Sequence, residues 1–381
     1  MKRILVVGGG LIGIRHLRAV QAHPRCTLVG LADPDPTIAP DVPRFADMAD
    51  APDDIDGVIL ATPTHLHAAH GAQAAARGWH MLVEKPVAGT LNDARQLARD
   101  IADAGVRSLV GHHRRYHAPV QQLRQLIAEG AIGDVVTATL IWAMRKPDAY
   151  FADNWRTAGG SPVLINLVHD IDILRFCIGE ITATAALPGA RLRDSGRIES
   201  GAVALAFANG ATGTISFADT APSPWGFEAA TGENPNIGTT AQDMMWITGT
   251  RGAVSFPSLS LWHGRDWSAA AQQVPLTADI NTRAPLEAQL DHFVDVMAGA
   301  SSLIDVADAT KTLTIAEAIQ AQLTSPASPE TSGKKLLERT PHEQTHNRFH
   351  RPRPDGRRHG RPPTGSGLCA ARSGQPRPHL P

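Results

Sequence analysis

Gly8-Gly9-Gly10-Leu11-Ile12-Gly13 satisfies the spacing G-x-G-x-x-G. Each glycine has its own task. Gly8 permits a tight turn, Gly10 lets backbone approach a pyrophosphate, and Gly13 lets a helix pack close to the preceding strand. The pyrophosphate then lies at the helix N-terminus, over the backbone of Leu11 and Ile12, where free N–H groups and the helix dipole favour negative charge. Asp33 follows Gly13 by twenty residues and ends the next apolar run. A carboxylate there accepts hydrogen bonds from both hydroxyls of an adenosine ribose and repels a 2′-phosphate. Pro34-Asp35-Pro36 comes next, with no Arg among them. The pattern predicts a dinucleotide site for NAD rather than NADP. A glycine turn with a helix-capping Asp is the plain alternative, and it leaves the joint register of turn, helix, strand and acid unexplained.

Other groups able to do chemistry lie at strand ends or on one helix. Thr62, Pro63, His65 and His67 follow one apolar run, and Glu84-Lys85-Pro86 follows another. His112-His113-Arg114-Arg115-Tyr116 follows a third. Two adjacent histidines on a strand point to opposite faces, which speaks against a shared metal. One is expected at the cofactor, with Arg114 or Arg115 as a structural ion-pair partner. His169 and Asp172 stand three apart and share a helix face. Asp170 is expected to point to solvent or to the domain boundary. Tyr150, Trp155 and Arg156 precede that helix, and aromatic faces with a guanidinium suit a hydroxylated ligand. The stretch 219–243, which carries Trp225 and Glu228, is too long for an idle loop and is read as a cover for the substrate.

The elements that must position these groups fall into two patterns. Short apolar runs at 4–7, 27–32, 58–61, 80–83 and 109–111 alternate with helical patterns at 11–22, 66–77 and 91–104. Runs apolar on both faces, alternating with helices, indicate a parallel sheet covered on both sides. Beyond about residue 133 a strand-like stretch and a helix at 163–178 precede strand-like runs at 202–208, 212–217, 244–248, 254–256 and 259–262. Strands in succession imply an antiparallel sheet. Helical patterns at 286–297 and 306–323 close this part. The fold class is therefore an α/β Rossmann domain (a doubly wound parallel sheet) plus an α+β domain with a large, mostly antiparallel open sheet. The expected boundaries are 1–117, 118–335, and a basic tail at 339–381, with the last helix packing back on the first domain.

Bulk properties fit that division. A chain of 381 residues with 43 % hydrophobic residues can bury two ordinary cores, and a net charge of −1 points to neither nucleic acid nor a membrane surface. Cys26, Cys177 and Cys369 lack disulfide or zinc spacing, which suits a cytoplasmic setting. The N-terminal apolar run is too short for a secretory leader and reads as a strand. Residues 339–381 hold nine Arg, no Lys, eight Pro and two acids. Such a segment cannot bury enough apolar surface to order itself, and its bias fits out-of-frame translation of GC-rich DNA.

Gly8-x-Gly10-x-x-Gly13, Ala61-Thr62-Pro63-Thr64-His65-Leu66-His67, Glu84-Lys85-Pro86 and the helix of His169 and Asp172 together resemble the glucose–fructose oxidoreductase / inositol dehydrogenase (Gfo/Idh/MocA) family, over about residues 1–325. The resemblance implies an NAD-dependent enzyme acting on a polyol, a sugar or a sugar derivative. It implies dimers or tetramers formed through the open face of the second sheet, and a cis bond before Pro86. In the family the histidine matching His169 contacts the substrate hydroxyl and relays its proton, and the acid matching Asp172 binds substrate or orients that histidine. Lys85, at a strand end, suits charge stabilisation and proton handling, while Glu84 pairs with a ribose hydroxyl or holds Lys85. One departure matters. Many members carry Asp four residues before the histidine, and this chain has Ile165 there, with Asn166 beside it. The relay is then either reduced to Lys85 and His169 or completed by Asn166 or Asp172. Two other functions stay open at this point: a NAD-dependent glycoside hydrolase or lyase using transient oxidation, and a non-catalytic nucleotide-binding regulatory protein.

Overall fold

Ile4, Leu5, Val6 and Val7 are buried on both faces of the first strand, as a strand central to a doubly covered sheet requires. The computed structural model describes residues 1–151, 161–193, 196–274 and 284–325. The first half contains β1 (Lys2–Val7), α1 (Leu11–Ala22), β2 (Cys26–Ala32), β3 (Arg44–Phe45), β4 (Gly57–Leu60), α2 (His67–Ala76), β5 (His80–Val83), α3 (Leu91–Asp103) and β6 (Ser108–Val110). Its six-stranded sheet runs in the order β3-β2-β1-β4-β5-β6, and every pairing is parallel. The order reverses between β1 and β4. In open α/β sheets ligands bind beyond the strand C-termini at that reversal, and here it is where Gly8 meets Ala61.

The second half contains α4 (Ala118–Ala128), β7 (Val135–Ala143), α5 (Val168–Cys177), β8 (Ile181–Pro188), β9 (Ser200–Phe207), β10 (Thr212–Ala218), α6 (Phe227–Thr231), β11 (Met245–Gly249), β12 (Gly252–Phe256), β13 (Leu261–His263), β14 (Gln272–Val274), α7 (Pro285–Met297) and α8 (Val306–Thr324). Its eight strands order as β14-β13-β12-β11-β7-β10-β9-β8. Most pairs are antiparallel, but β7 and β10 run parallel, from Thr137 opposite Thr212 to Ala143 opposite Ala218. The sheet is thus mixed, because from β7 the chain crosses through α5 to β8 at the sheet edge and comes back by β9 to β10, which lies beside β7. One face packs on α4, α5 and α8. The other carries Thr139, Thr214, Trp246 and Trp262, all exposed.

Two apolar cores result, and α8 belongs to both. Val306, Ala309 and Leu313 pack into the Rossmann core, while Ala316, Ile319 and Leu323 pack into the second. Asp305 caps the helix by accepting from Asp308 N at 2.7 Å, which satisfies one of the amides a helix start leaves open. Helix α5 is preceded by a π-helical turn, Val163–Leu167. Such turns widen the backbone locally and recur at functional sites. No helix among the described residues is long and apolar enough to cross a membrane.

Candidate active site

Gly10 stands at the N-cap of helix α1, and no side chain caps it. A Cβ on Gly10 would meet nothing within 4 Å, whereas one on Gly13 would lie 1.9 Å from the Gly8 carbonyl oxygen. Gly8, at φ +96°, occupies a backbone region closed to most residues, with the Ala61 carbonyl 2.7 Å from where its Cβ would stand. Open amides therefore face open space at the sheet's reversal. Asp33 adjoins them: its Oδ2 accepts from Gly9 N at 2.6 Å and its Oδ1 from Asp35 N at 2.9 Å. Beyond it lies a cavity of about 110 Å³ lined by Asp33, Pro34, Pro36, Arg44, Phe45 and Ala46. These features fit the pyrophosphate and adenosine ends of NAD.

The other wall comes from β5. Glu84 is buried directly after the strand. Its Oε1 lies 2.8 Å from His16 Nε2, and its Oε2 accepts from Lys85 N at 3.1 Å. Burial pushes the Glu84 carboxyl up, but the His16 bond and the charges of His16, His113 and Lys85 more than offset it and leave it at about 2. The Lys85–Pro86 peptide is cis. Lys85 Nζ donates to the Ile165 carbonyl at 3.3 Å. Burial and the Arg114 charge lower its pKa, against the opposing charges of Glu84, Glu228 and Glu233.

Facing Lys85, α5 presents His169, buried, with no hydrogen-bond partner on Nδ1. Its ring meets His113 and His112 edge-on, at 5.4 and 5.8 Å between centroids. Burial, then the charges of Lys85, Arg114, His113 and His112, hold His169 well below its ordinary pKa. These influences all favour the neutral ring. Asn166 completes this side. Its Oδ1 accepts from Lys146 Nζ at 2.7 Å, and its Nδ2 donates to Glu228 Oε1 at 3.4 Å. Behind them Arg114 stands against three carboxylates: Glu228 at 2.9 Å, Glu233 at 3.0 Å and Asp170 at 3.3 Å. The guanidinium also lies 4.0 Å over the Phe227 ring.

Residues 2–112 match the family model described as an oxidoreductase family with an NAD-binding Rossmann fold, and residues 120–255 match the GFO/IDH/MocA C-terminal domain. An inositol 2-dehydrogenase of Rhizobium meliloti is 32 % identical over 227 residues, which is 56 % of this chain and 68 % of that protein. The chain belongs to the Gfo/Idh/MocA oxidoreductase family. The rhizopine catabolism protein MocA of Rhizobium meliloti aligns over 83 % of this chain and 93 % of its own length, at 27 % identity. A levoglucosan dehydrogenase solved with NADH and levoglucosan has the same fold, with a TM-score of 0.69 at 21 % identity, covering 84 % of this chain and 96 % of that one.

Several residues of this Gfo/Idh/MocA member stand elsewhere than the sequence suggested. Asp172 does not reach the cleft. Arg115 grips it with two hydrogen bonds, at 2.7 and 2.8 Å, and Thr312 adds a third at 3.0 Å. A fully buried carboxylate needs such partners, and they leave no edge for a substrate. Asp170, expected at solvent or the domain boundary, is fully buried against Arg114. Burial raises its pKa to about 7, with Arg114 opposing and Glu228 and Glu233 reinforcing. His67 is buried with one ring nitrogen 2.9 Å from Pro86 O and the other 2.8 Å from Thr62 O, and its single N–H donates to one of the two. Thr62 bonds His70 through its hydroxyl, and Pro63 opens the next turn.

At the adenosine end no Arg stands in Pro34-Asp35-Pro36, and β3 brings Arg44 beside Asp33, where it donates to the carbonyls of Asp33, Asp35 and Ile38. Tyr150 lies under Lys146 Nζ at 4.9 Å, and Trp225, half-exposed, hydrogen-bonds through its carbonyl to Ala143 N. Trp155 and Arg156 lie outside the described residues, as does the tail. The sequence reading missed His16 and Glu233. His16 carried a signal: it follows Gly13 by three and puts an imidazole on the apolar face of α1. Glu233 carried none, since its partners Arg114 and His113 lie about 120 residues away.

Proposed function

We propose that this enzyme transfers a hydride between NAD and a hydroxyl carbon of a polyol, sugar or sugar derivative, with Lys85 and His169 handling the hydroxyl proton. The observation that carries the reading is the pairing of an ammonium with a neutral imidazole at the sheet's C-terminal edge. When bound, NAD supplies the hydride acceptor. The chain's part is to bind the alcohol, take its proton and stabilise the oxygen. His169, neutral and with Nδ1 unpartnered, offers a lone pair to the hydroxyl proton, and the Lys85 ammonium stabilises charge that appears on oxygen only as the reaction proceeds. Asn166, Tyr150 and Trp225 line the approach, and Trp155 and Arg156 belong to the same substrate wall by sequence.

The division into 1–117 and 118–335, a cytoplasmic location, and a homodimer or homotetramer built on the open sheet face are parts of the same proposal. A screen of polyols, sugars and lactones for NADH absorbance tests it. Lys85→Met should then lower turnover by ~10²–10⁴-fold and leave NAD binding nearly intact. Wild-type turnover in Lys85→Met would refute the mechanism. Release of a leaving group with no net NADH would instead identify a hydrolase or lyase, and NAD binding without turnover of any substrate a regulator.

A further inference from the structure

The stretch from Asp33 to Ala39 folds back over the glycine turn with little apolar burial to hold it. Pro34, Asp35, Pro36 and Thr37 are all exposed. The Ile38 side chain lies so close above Gly9 that a Cβ on that glycine would stand 2.7 Å from Ile38 Cγ2. Ala39 then turns the chain at φ +48°, a left-handed conformation that alanine rarely adopts. An exposed segment of this kind keeps one conformation only if polar bonds offset the entropy of ordering it.

Arg44 supplies three of those bonds. β3 is two residues long, and its pairing sets Arg44 opposite Leu31 and Phe45 opposite Ala32, beside the end of β2. From there Arg44 Nη2 donates to the carbonyls of Asp33, at 3.1 Å, and of Asp35, and Nη1 donates to the carbonyl of Ile38. The planar guanidinium spans three peptides with a fixed fork, which a flexible ammonium does not. The grip reaches the Asp33 carboxylate through one residue. Asp35, held at its carbonyl, donates its own N–H to Asp33 Oδ1 at 2.9 Å, while the Gly9 N–H holds Oδ2 at 2.6 Å. Three N–H groups of Arg44 are thus spent on backbone, so the guanidinium is committed to the loop rather than offered to a phosphate.

We propose that Arg44 is a positioning residue for cofactor choice: by clamping the 33–38 loop it holds the Asp33 carboxylate in place to bind the adenosine ribose of NAD and to repel a 2′-phosphate. This rests on the reading of Asp33 as the ribose acid. The clamp itself lies wholly within the chain and can be measured without a cofactor.

Hydrogen exchange of the full chain without cofactor, read by mass spectrometry, tests the clamp. In Arg44→Met the 33–39 segment should exchange about tenfold faster than in the native chain, with β1 unchanged. Fluorescence titration tests the consequence. Arg44→Met should weaken NAD about tenfold and leave NADP unchanged, so that the preference narrows. Arg44→Lys keeps the charge without the fork and should lose as much, so the series stays decisive if one variant fails to fold. In the Asp33→Ala background, Arg44→Met should cost little further NAD affinity, because the clamp has no carboxylate left to hold. Equal loss of NAD and NADP in Arg44→Met, native affinity in Arg44→Lys, or a full second loss in the double variant would overturn the proposal. So would native exchange in a folded Arg44→Met. Native NAD preference in Asp33→Ala would instead overturn the ribose reading on which the proposal rests, and faster exchange in Arg44→Met would still mark the clamp.

Discussion

Glu84 and Asp170 lie in one charge cluster and are driven in opposite directions. Glu84 sits at about 2, below its ordinary value of 4.5. Its contribution to stability is present above that ordinary value and is lost as pH falls through about 2. Glu84→Gln should therefore destabilise the fold by about 3 kcal/mol at neutral pH, with the difference vanishing near pH 2 in urea unfolding. Asp170, raised from 3.8 to about 7, behaves inversely. The native protein binds the extra proton between those values and loses stability as pH rises through about 7. Asp170→Asn should flatten that slope and gain on the native chain above neutrality. At the adenosine end, NAD should bind more tightly than NADP in fluorescence titrations, and Asp33→Ala should narrow the gap by weakening NAD. At this scale the sequence singled out the residues whose type and local spacing carry a reading of their own: the glycines, Asp33, Lys85 and His169. The surroundings of Asp172 were not legible, because distant partners decide where its side chain ends, as Thr312 does across 140 residues.

Turn and helix start must fit together before any cofactor is held. Gly13→Ala would drive a methyl to 1.9 Å from the Gly8 carbonyl oxygen, backbone that cannot yield, and should push α1 off β1. Both the melting temperature and NAD affinity should fall. Gly10→Ala separates the two effects. Gly10 has φ −64°, which alanine accepts, and its Cβ would enter open space. The variant should melt like the native chain and bind NAD weakly, because the methyl occupies the approach to the helix amides. Calorimetry and titration on the pair distinguish fold from site. The Rossmann strands were readable because burial on both faces leaves unbroken apolar runs. β8 was not, since Ile181-Thr182-Ala183-Thr184-Ala185 alternates small residues with one exposed face. The parallel β7–β10 pair was not either, because pairing partners in a mixed sheet depend on the path of the crossover rather than on the strands themselves.

The open face of the eight-stranded sheet presents Trp246 and Trp262, each more than a third exposed, among threonines and alanines. A broad, flat face with few charges suits a second copy of the chain. Trp246→Glu should lower the mass seen by light scattering and leave NAD affinity close to native. A chain ending at Glu338 should keep both the melting temperature and the cofactor affinity, as the composition of the tail leads one to expect. The helix shared between the two cores has a different kind of consequence. Leu313 belongs to one core and Ala316 to the other, a single helical turn apart. The two halves are therefore poor cassettes for recombination. A chimaera spliced between residues 112 and 120, where the two family matches part, would bring in a foreign helix whose first turns face a Rossmann core they never evolved with. In this lineage, changes around Leu313 and Val306 should be inherited together with changes in β6 and α3, so that one helix obliges two otherwise separable sheets to share an evolutionary history.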